Sequence, residues 1–136
     1  MKDETDREEE GLRVAEEVLD LRRRTKLFSL RVIRLFAALP RSVPAQVLGK
    51  QVLRSATSVG ANYREACRSR SDPEFVAKLG DCLKELDETL YWLELLTEAN
   101  VLPAPRLAPL RDEADELLAI FTTISKARKR KIYGAA

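Results

Sequence analysis

Two amphipathic segments that stand close together in the sequence constrain the fold of this chain most strongly. They span roughly residues 44–68 and 71–100, and both carry apolar residues at the steps of three and four that are typical of a helix. A helix of about 25 residues is about 37 Å long, and only a few residues separate the segments, so they must fold back as an antiparallel hairpin. The repeat of the second segment consists of Phe75, Leu79, Cys82, Leu86, Leu90, Leu93 and Leu96.

Two further segments have the same periodicity and flank this hairpin. The first runs from about Leu21 to Leu39 and ends before Pro40, because the residue before a proline is disfavoured in the helical conformation. The last follows the proline-rich turn at residues 103–105 and ends near Lys131. Four helices with apolar stripes and short connections predict an all-α protein, an up-down-up-down antiparallel four-helix bundle.

Charge is segregated along the chain, and this segregation helps to divide it into regions. Residues 1–20 carry 3 basic and 9 acidic side chains and form an acidic N-terminal leader that either is helical or frays. The bundle spans residues 21–131, with a strongly basic first half and an acidic stretch after residue 72, and residues 132–136 form a tail. Such segregation allows the basic regions to bind an anionic partner, or it holds oppositely charged surfaces of one protein together.

The chain contains no histidine, and this excludes several classes of functional site. A Ser-His-Asp or Cys-His nucleophile, a zinc site built on imidazole and a Glu-x-x-His di-metal site all need that residue. The two cysteines are too few for a disulfide framework or a four-thiolate zinc site, and no glycine-rich phosphate motif is present. We therefore predict that the protein is not an enzyme and needs neither a cofactor nor a metal.

The sequence also indicates a cytoplasmic protein. It has no run of about 18 apolar residues, and its first residues are acidic rather than apolar as in a signal peptide. Two reduced cysteines fit this compartment. Cys67 lies near the hairpin turn and Cys82 well beyond it, so we expect them at different heights in the bundle and unable to form a disulfide.

A row of cations lies on the segment at residues 44–68, opposite its apolar seam. Regularly spaced cations on a helix are suited to bind the phosphates of a nucleic acid, since each can neutralise a phosphate and release counterions. The alternatives are a solvated basic face and a face that pairs with acidic residues of a neighbour. This basic ridge consists of Lys50, Arg54, Arg64 and Arg68.

A second basic run ends the last predicted helix. Cations near a helix C-terminus offset its dipole, but five of them within six residues exceed that need. We interpret the run as a second element that binds anions or nucleic acid, with a solvated, fraying end as the alternative. This basic tail consists of Lys126, Arg128, Lys129, Arg130 and Lys131.

An acidic stripe on the helix at residues 71–100 offers the cations of the ridge another partner. In an oligomer, this stripe of one subunit meets the arginines of another and neutralises them. The protein is then an interaction scaffold that does not bind nucleic acid. The stripe consists of Glu74, Asp81, Glu85 and Glu88.

Apolar side chains outside the predicted core favour self-association. Trp92 and Leu95 continue the acidic stripe on the outer side of their helix, where large apolar groups are unusual unless a partner covers them. Leu30 and Ile33 point away from the apolar stripe of the first helix. We therefore expect a homo-oligomer with these four residues in its interface.

Three stretches of the sequence, at residues 47–67, 71–75 and 82–96, resemble a bacterial four-helix-bundle family first noticed in intervening sequences of large-subunit ribosomal RNA genes. The resemblance covers about residues 21–125. Its centre is a set of polar residues that helical periodicity does not require. These are Arg54-Ser55, Ser58-Val59 and Asn62-x-x-Glu65.

The resemblance implies a small up-down bundle that assembles into a barrel-like homopentamer. It places Asn62 and Glu65 as structural or interface residues and provides no catalytic residues. A relative of this fold is the accessory variability protein of diversity-generating retroelements, a basic pentamer that partners a reverse transcriptase and binds nucleic acid. We therefore expect a non-enzymatic oligomer that binds RNA or DNA through the ridge and the tail, with the protein scaffold as the alternative and a reverse transcriptase as a conceivable partner.

Overall fold

The computed structural model describes residues 1–134 and contains four helices in this range, with no strands. Short loops connect the helices. The all-α four-helix bundle predicted from the sequence is therefore confirmed, while residues 135 and 136 of the predicted tail lie outside the described residues. The helices are α1 (Glu4–Ala37), α2 (Val43–Cys67), α3 (Asp72–Glu98) and α4 (Ala104–Tyr133).

The first three helices begin at side chains that cap their free backbone N–H groups. Asp3 accepts a hydrogen bond from the backbone N–H of Asp6 in a capping box, and Ser42 accepts one from Ala45. Ser71, rather than the neighbouring Asp72, caps α3. By contrast, α4 begins after Pro103, which offers no capping side chain.

The acidic leader is helical. Residues 4–20 continue into α1 without a break, so of the two alternatives left open by the sequence the structure shows the helix. Nearly all of these residues are exposed, and the first fully packed side chain of α1 is Leu21. No helix within residues 1–134 is long and apolar enough to cross a membrane.

The core lies where the apolar stripes of the four helices meet. Each helix packs against the next one in the chain, and α1 also contacts α4. Two buried hydroxyls link α2 to α3: the oxygens of Ser55 and Thr89 lie 2.8 Å apart. Both are completely buried, and they also bond to carbonyls of their own helices. The largest fully buried side chains include Phe28, Val32, Val52, Val59, Leu79, Leu86, Leu93, Leu117 and Phe121.

α1 and α2 approach each other closely at Gly49. A β-carbon at this position would lie 2.4 Å from Leu39 Cδ1 and 2.9 Å from Phe36 Cδ2, closer than such atoms can stand. The glycine therefore allows the side chains at the end of α1 to pack directly onto the backbone of α2. This close packing brings the two helices together next to the loop that connects them.

We expect the Ser55–Thr89 pair to contribute a measurable coupling to stability. Replacing Ser55→Ala or Thr89→Val alone should lower the free energy of unfolding by about 1 kcal/mol, because each change removes one partner of a buried hydrogen bond. The double variant should lose less than the sum, with a coupling of about 0.5–1.5 kcal/mol measured by urea denaturation. Strictly additive losses would contradict the inter-helix role of this pair.

Candidate nucleic-acid interface

The structure places the basic ridge on the outer face of α2, where all four of its cations are exposed. Lys50 lies near the start of the helix, whereas Arg64 and Arg68 lie near its end. Arg64 follows Lys50 by 14 residues, which is about 21 Å along the axis. The ridge therefore divides into two groups, Lys50 with Arg54 and Arg64 with Arg68.

Arg54 is engaged within its own chain. Its guanidinium donates to Glu88 at 2.7 Å and to Glu85 at 3.3 Å, both on α3. The hydrogen bond from Arg54 is the main cause that lowers the pKa of Glu88, whereas burial raises the pKa of Glu85, so Glu88 is the stronger partner. Arg54 therefore has carboxylate partners within its own chain, whereas its pairing across a subunit boundary stays a prediction.

A second pair of opposite charges joins the same two helices. Lys78 on α3 donates to Glu65 on α2 at 2.6 Å and lies 4.0 Å from Asp81. This hydrogen bond raises the pKa of Lys78. Glu65, a predicted interface residue, therefore has a partner in its own chain, and so does part of the acidic stripe.

The basic tail at the end of α4 is only partly free. Arg128 donates to Asp72 at 2.8 Å, and Lys131 lies 3.3 Å from the other oxygen of that carboxylate. Hydrogen bonds from Lys131 and Arg128 lower the pKa of Asp72. The Arg128 guanidinium also stacks over the ring of Phe75, 4.1 Å from its centroid, as in a cation–π contact. These contacts fix the tail beside the first turn of α3.

The remaining cations of the tail and of the end of α2 gather at this end of the bundle. The loop between α2 and α3 and the side chain of Arg128 line a common pocket of about 470 Å³, to which Cys67 and Arg70 also contribute. Within residues 1–134 none of the following cations forms an ion pair, and all are exposed: Arg64, Arg68, Arg70, Lys126, Lys129 and Arg130. We call this group the basic end. Sequence reasoning missed Arg70, because it lies in the loop and not on a helix face.

The outer face of α1 carries exposed aliphatic side chains, with the charged Glu16, Arg23 and Lys26 among them. Leu30 and Ile33, predicted from the sequence, are exposed there, and so are Leu12, Leu19 and Leu27, with exposed fractions of 37% to 65% for the five side chains. Sequence reasoning missed Leu12 and Leu19 because the leader was set apart from the bundle, and it missed Leu27 within the first predicted helix. The seven-residue spacing from Leu12 to Leu19, continued fourteen residues later by Ile33, is a signal that could have found Leu12 and Leu19.

The other predicted interface residues are partly covered by the chain itself. Trp92, Leu95 and Asn62 are half-buried, and Trp92 packs against the core. The indole N–H of Trp92 is buried without a hydrogen-bond partner in the described part of the chain. The ring of the exposed Tyr91 meets the indole edge-on, with 5.1 Å between centroids.

The two cysteines form no disulfide, and the thiol of Cys82 is unreactive in character. Both are free, and Cys82 is fully buried and donates to the carbonyl of Val59. Burial raises the pKa of Cys82 to about 12, so its thiol stays protonated. No group of three or more possible ligands among the described residues is placed to hold a metal ion.

Comparison with known proteins extends this description. The family model of the 23S rRNA-intervening sequence protein matches residues 17–123. A crystal structure of a protein with unknown function from the S23 ribosomal protein family of Bacteroides thetaiotaomicron has 33% sequence identity and a TM-score of 0.75, and the match covers 80% of this chain and 97% of that chain. No curated protein matches the chain. The matched region omits the start of α1 and the whole basic tail.

We expect Asp72→Asn to lower thermal stability at neutral pH and to release Arg128 and Lys131. Because the folded-state pKa of Asp72 lies below its ordinary value of 3.8, its contribution is fully present above that pH and is lost as the pH falls through the folded value. The difference in melting temperature between the two proteins should therefore shrink on acidification below 3.8. A constant difference at every pH would show that the ion pairs do not cause it.

Proposed function

Since the chain belongs to the 23S rRNA-intervening sequence protein family, we propose that it is a non-enzymatic, homo-oligomeric four-helix bundle that binds the backbone of RNA or DNA through its basic end. The observation that carries this proposal is the concentration of exposed cations without ion pairs around the end of α2 and the basic tail. The family name links its members to the genes of ribosomal RNA. Because the proposed ligand is intracellular nucleic acid, we place the protein in the cytoplasm.

The order of inter-helix contacts supports the up-down-up-down arrangement. From Ser55–Thr89 to Glu65–Lys78, the position on α2 rises while that on α3 falls, as antiparallel neighbours require. On α1 and α4, Glu17 and Ile124 line one pocket, Arg24 meets Glu113, and Arg34 and Arg106 line another pocket, so the position on α4 falls as that on α1 rises. We infer that all neighbouring helices run antiparallel.

The basic end suits a phosphate backbone better than a base-specific site. Its cations lie on the ends of two helices and in a loop. They can contact successive phosphates of a nucleic-acid strand, and this does not require a helix inserted into a groove to contact the bases. Arg54, Arg128 and Lys131 are already paired with carboxylates and contribute less. Binding should therefore depend on Arg64, Arg68, Arg70, Lys126, Lys129 and Arg130, and Lys50 lies too far along α2 to join them.

Self-association is supported by the apolar outer face of α1. Five large aliphatic side chains are exposed on the solvent side of this helix, with charged side chains between them, and such a concentration of exposed apolar groups favours an interface. We propose that a second copy of the chain covers it, and the resemblance to the family favours a homopentameric barrel. We further propose that the oligomer can bind a protein partner in a larger assembly. The example is a reverse transcriptase, which is the partner of the accessory variability protein.

A protein scaffold without nucleic-acid binding is the second candidate. The observation that favours it is the pairing of Arg54, a central cation of the ridge, with Glu85 and Glu88 on α3. These pairs join helices of one chain, so this candidate now rests on the apolar face of α1 rather than on ion pairs between subunits. It predicts an oligomer that does not bind RNA at any salt concentration.

The nucleic-acid proposal is tested by two triple variants of equal charge. Arg68→Gln with Lys129→Gln and Arg130→Gln removes cations that have no ion pair, and it should lower affinity for a fluorescent single-stranded RNA about tenfold or more. The slope of log affinity against log salt should become shallower by about 0.7 per lost contact. Fluorescence anisotropy at several salt concentrations measures both quantities.

The matched control removes three cations that are already paired. Arg54→Gln with Lys78→Gln and Lys131→Gln changes the net charge equally, and we expect it to leave RNA affinity within about threefold. An equal loss in both triple variants would contradict a localised basic end. A wild-type protein that does not bind RNA at low salt would overturn the proposal.

The oligomer is tested on the apolar face of α1. Leu19→Asp with Leu30→Asp should reduce the sedimentation coefficient to that of a monomer, because burying two carboxylates in an apolar interface is costly. The control Val47→Asp changes an exposed apolar residue of α2 and should leave the assembly intact. A wild-type monomer, or an unchanged oligomer in the double variant, would refute this interface.

A further inference from the structure

Three arginines converge on a shallow pocket at the end of the bundle away from the basic end. Arg31 and Arg34 reach it from the last turns of α1, and Arg106 reaches it from the first turn of α4. The pocket has a volume of about 350 Å³, and the rest of its lining is Leu35, Ala38, Pro109 and Leu110. Val18 of α1 lines the pocket at the basic end. Arg31 lies 13 residues later on the same helix, so the two pockets are separated by about 20 Å along α1.

None of the three guanidinium groups has an anionic partner within residues 1–134. They form no ion pair and no side-chain hydrogen bond there, and no carboxylate lines the pocket. The contrast with Arg24 is informative, since it lies two turns earlier on the same helix. Arg24 meets Glu113 at 2.6 Å and Glu116 at 3.2 Å across the α1–α4 boundary.

Like charges that converge without a counterion repel one another, and the repulsion grows as water is excluded. Arg31 is half-buried, Arg34 and Arg106 are exposed, and the other residues that line the pocket are apolar. An anion that enters the pocket removes this repulsion. Phosphate suits it best among common anions, because the planar fork of a guanidinium donates two parallel hydrogen bonds to phosphate oxygens.

The ends of the helices account for only part of this arrangement. Arg34 lies in the last turn of α1, where a cation offsets the helix dipole. This explains neither Arg31, one turn earlier, nor Arg106, which lies at the positive end of α4. The first turn of α4 contains no acidic residue and its cap has no side-chain hydrogen bond, so Arg106 adds positive charge where positive potential already exists.

We propose that Arg31, Arg34 and Arg106 form a phosphate-binding pocket which, if the nucleic-acid function proposed above holds, receives a phosphate of the bound strand. The pocket is separate from the basic end and contributes a second anchor for the backbone. It is assembled from α1 and α4, which are far apart in the sequence.

The test compares two variants that remove the same charge. The pocket variant carries Arg31→Gln, Arg34→Gln and Arg106→Gln, and the control carries Arg23→Gln, Arg41→Gln and Arg111→Gln, at exposed arginines that do not line the pocket. Circular dichroism and sedimentation establish that both keep the fold and assembly of the wild type. Binding of single-stranded RNA and of inorganic phosphate is then measured separately.

For RNA, the pocket variant should bind about tenfold more weakly than the wild type, with a shallower salt dependence, and the control should stay within about threefold. For inorganic phosphate, millimolar concentrations should raise the melting temperature of the wild type and of the control, but not that of the pocket variant. The phosphate measurement does not depend on the nucleic-acid proposal.

The two measurements separate the possible failures. If RNA does not bind the wild type but phosphate stabilises it through the pocket, the function proposed above is wrong and the pocket stands. If phosphate affects the pocket variant and the control alike, and both variants lose RNA affinity equally, the pocket proposal is overturned.

Discussion

The packing of α2 against α3 is the interaction on which the rest of the structure depends. Val52 and Val59 of α2 and Leu79 and Leu86 of α3 are fully buried, and the Ser55–Thr89 hydroxyl pair fixes how far one helix slides along the other. A polar pair inside an apolar seam specifies register, because any shift leaves both hydroxyls in the seam without each other. With this register set, Arg54 reaches Glu88 and Lys78 reaches Glu65.

That register also decides which cations remain available to a ligand. Arg54 is neutralised by Glu85 and Glu88 in the middle of the two helices. By contrast, Arg64, Arg68 and Arg70 near the end of α2 form no ion pair within residues 1–134. Arg128 and Lys131 compete for one carboxylate, Asp72, so the tail keeps an excess of positive charge. The cationic surface of the protein is therefore divided between the two ends, although the basic residues of α2 form one continuous row in the sequence.

The sequence predicted the helices well and the contacts between them poorly, for a physical reason. Apolar periodicity and prolines report on one helix at a time, and they located α2 and α3 to within about two residues. Ion pairs such as Arg54–Glu88 depend on the rotation of two helices relative to each other, which no single-helix pattern contains. The same limit hid the Arg31, Arg34 and Arg106 cluster, and setting the leader apart from the bundle hid Leu12 and Leu19.

Trp92 gives this fold a built-in optical probe. It is the only tryptophan in the sequence, its ring packs on the core, and Tyr91 lies against it as an energy-transfer donor. Indole emission shifts with the polarity around the ring, and its buried N–H has no hydrogen-bond partner among residues 1–134. A partner, a ligand or a loosening of α3 near this residue thus changes the wavelength or intensity of a single emitter, without any label attached to the protein.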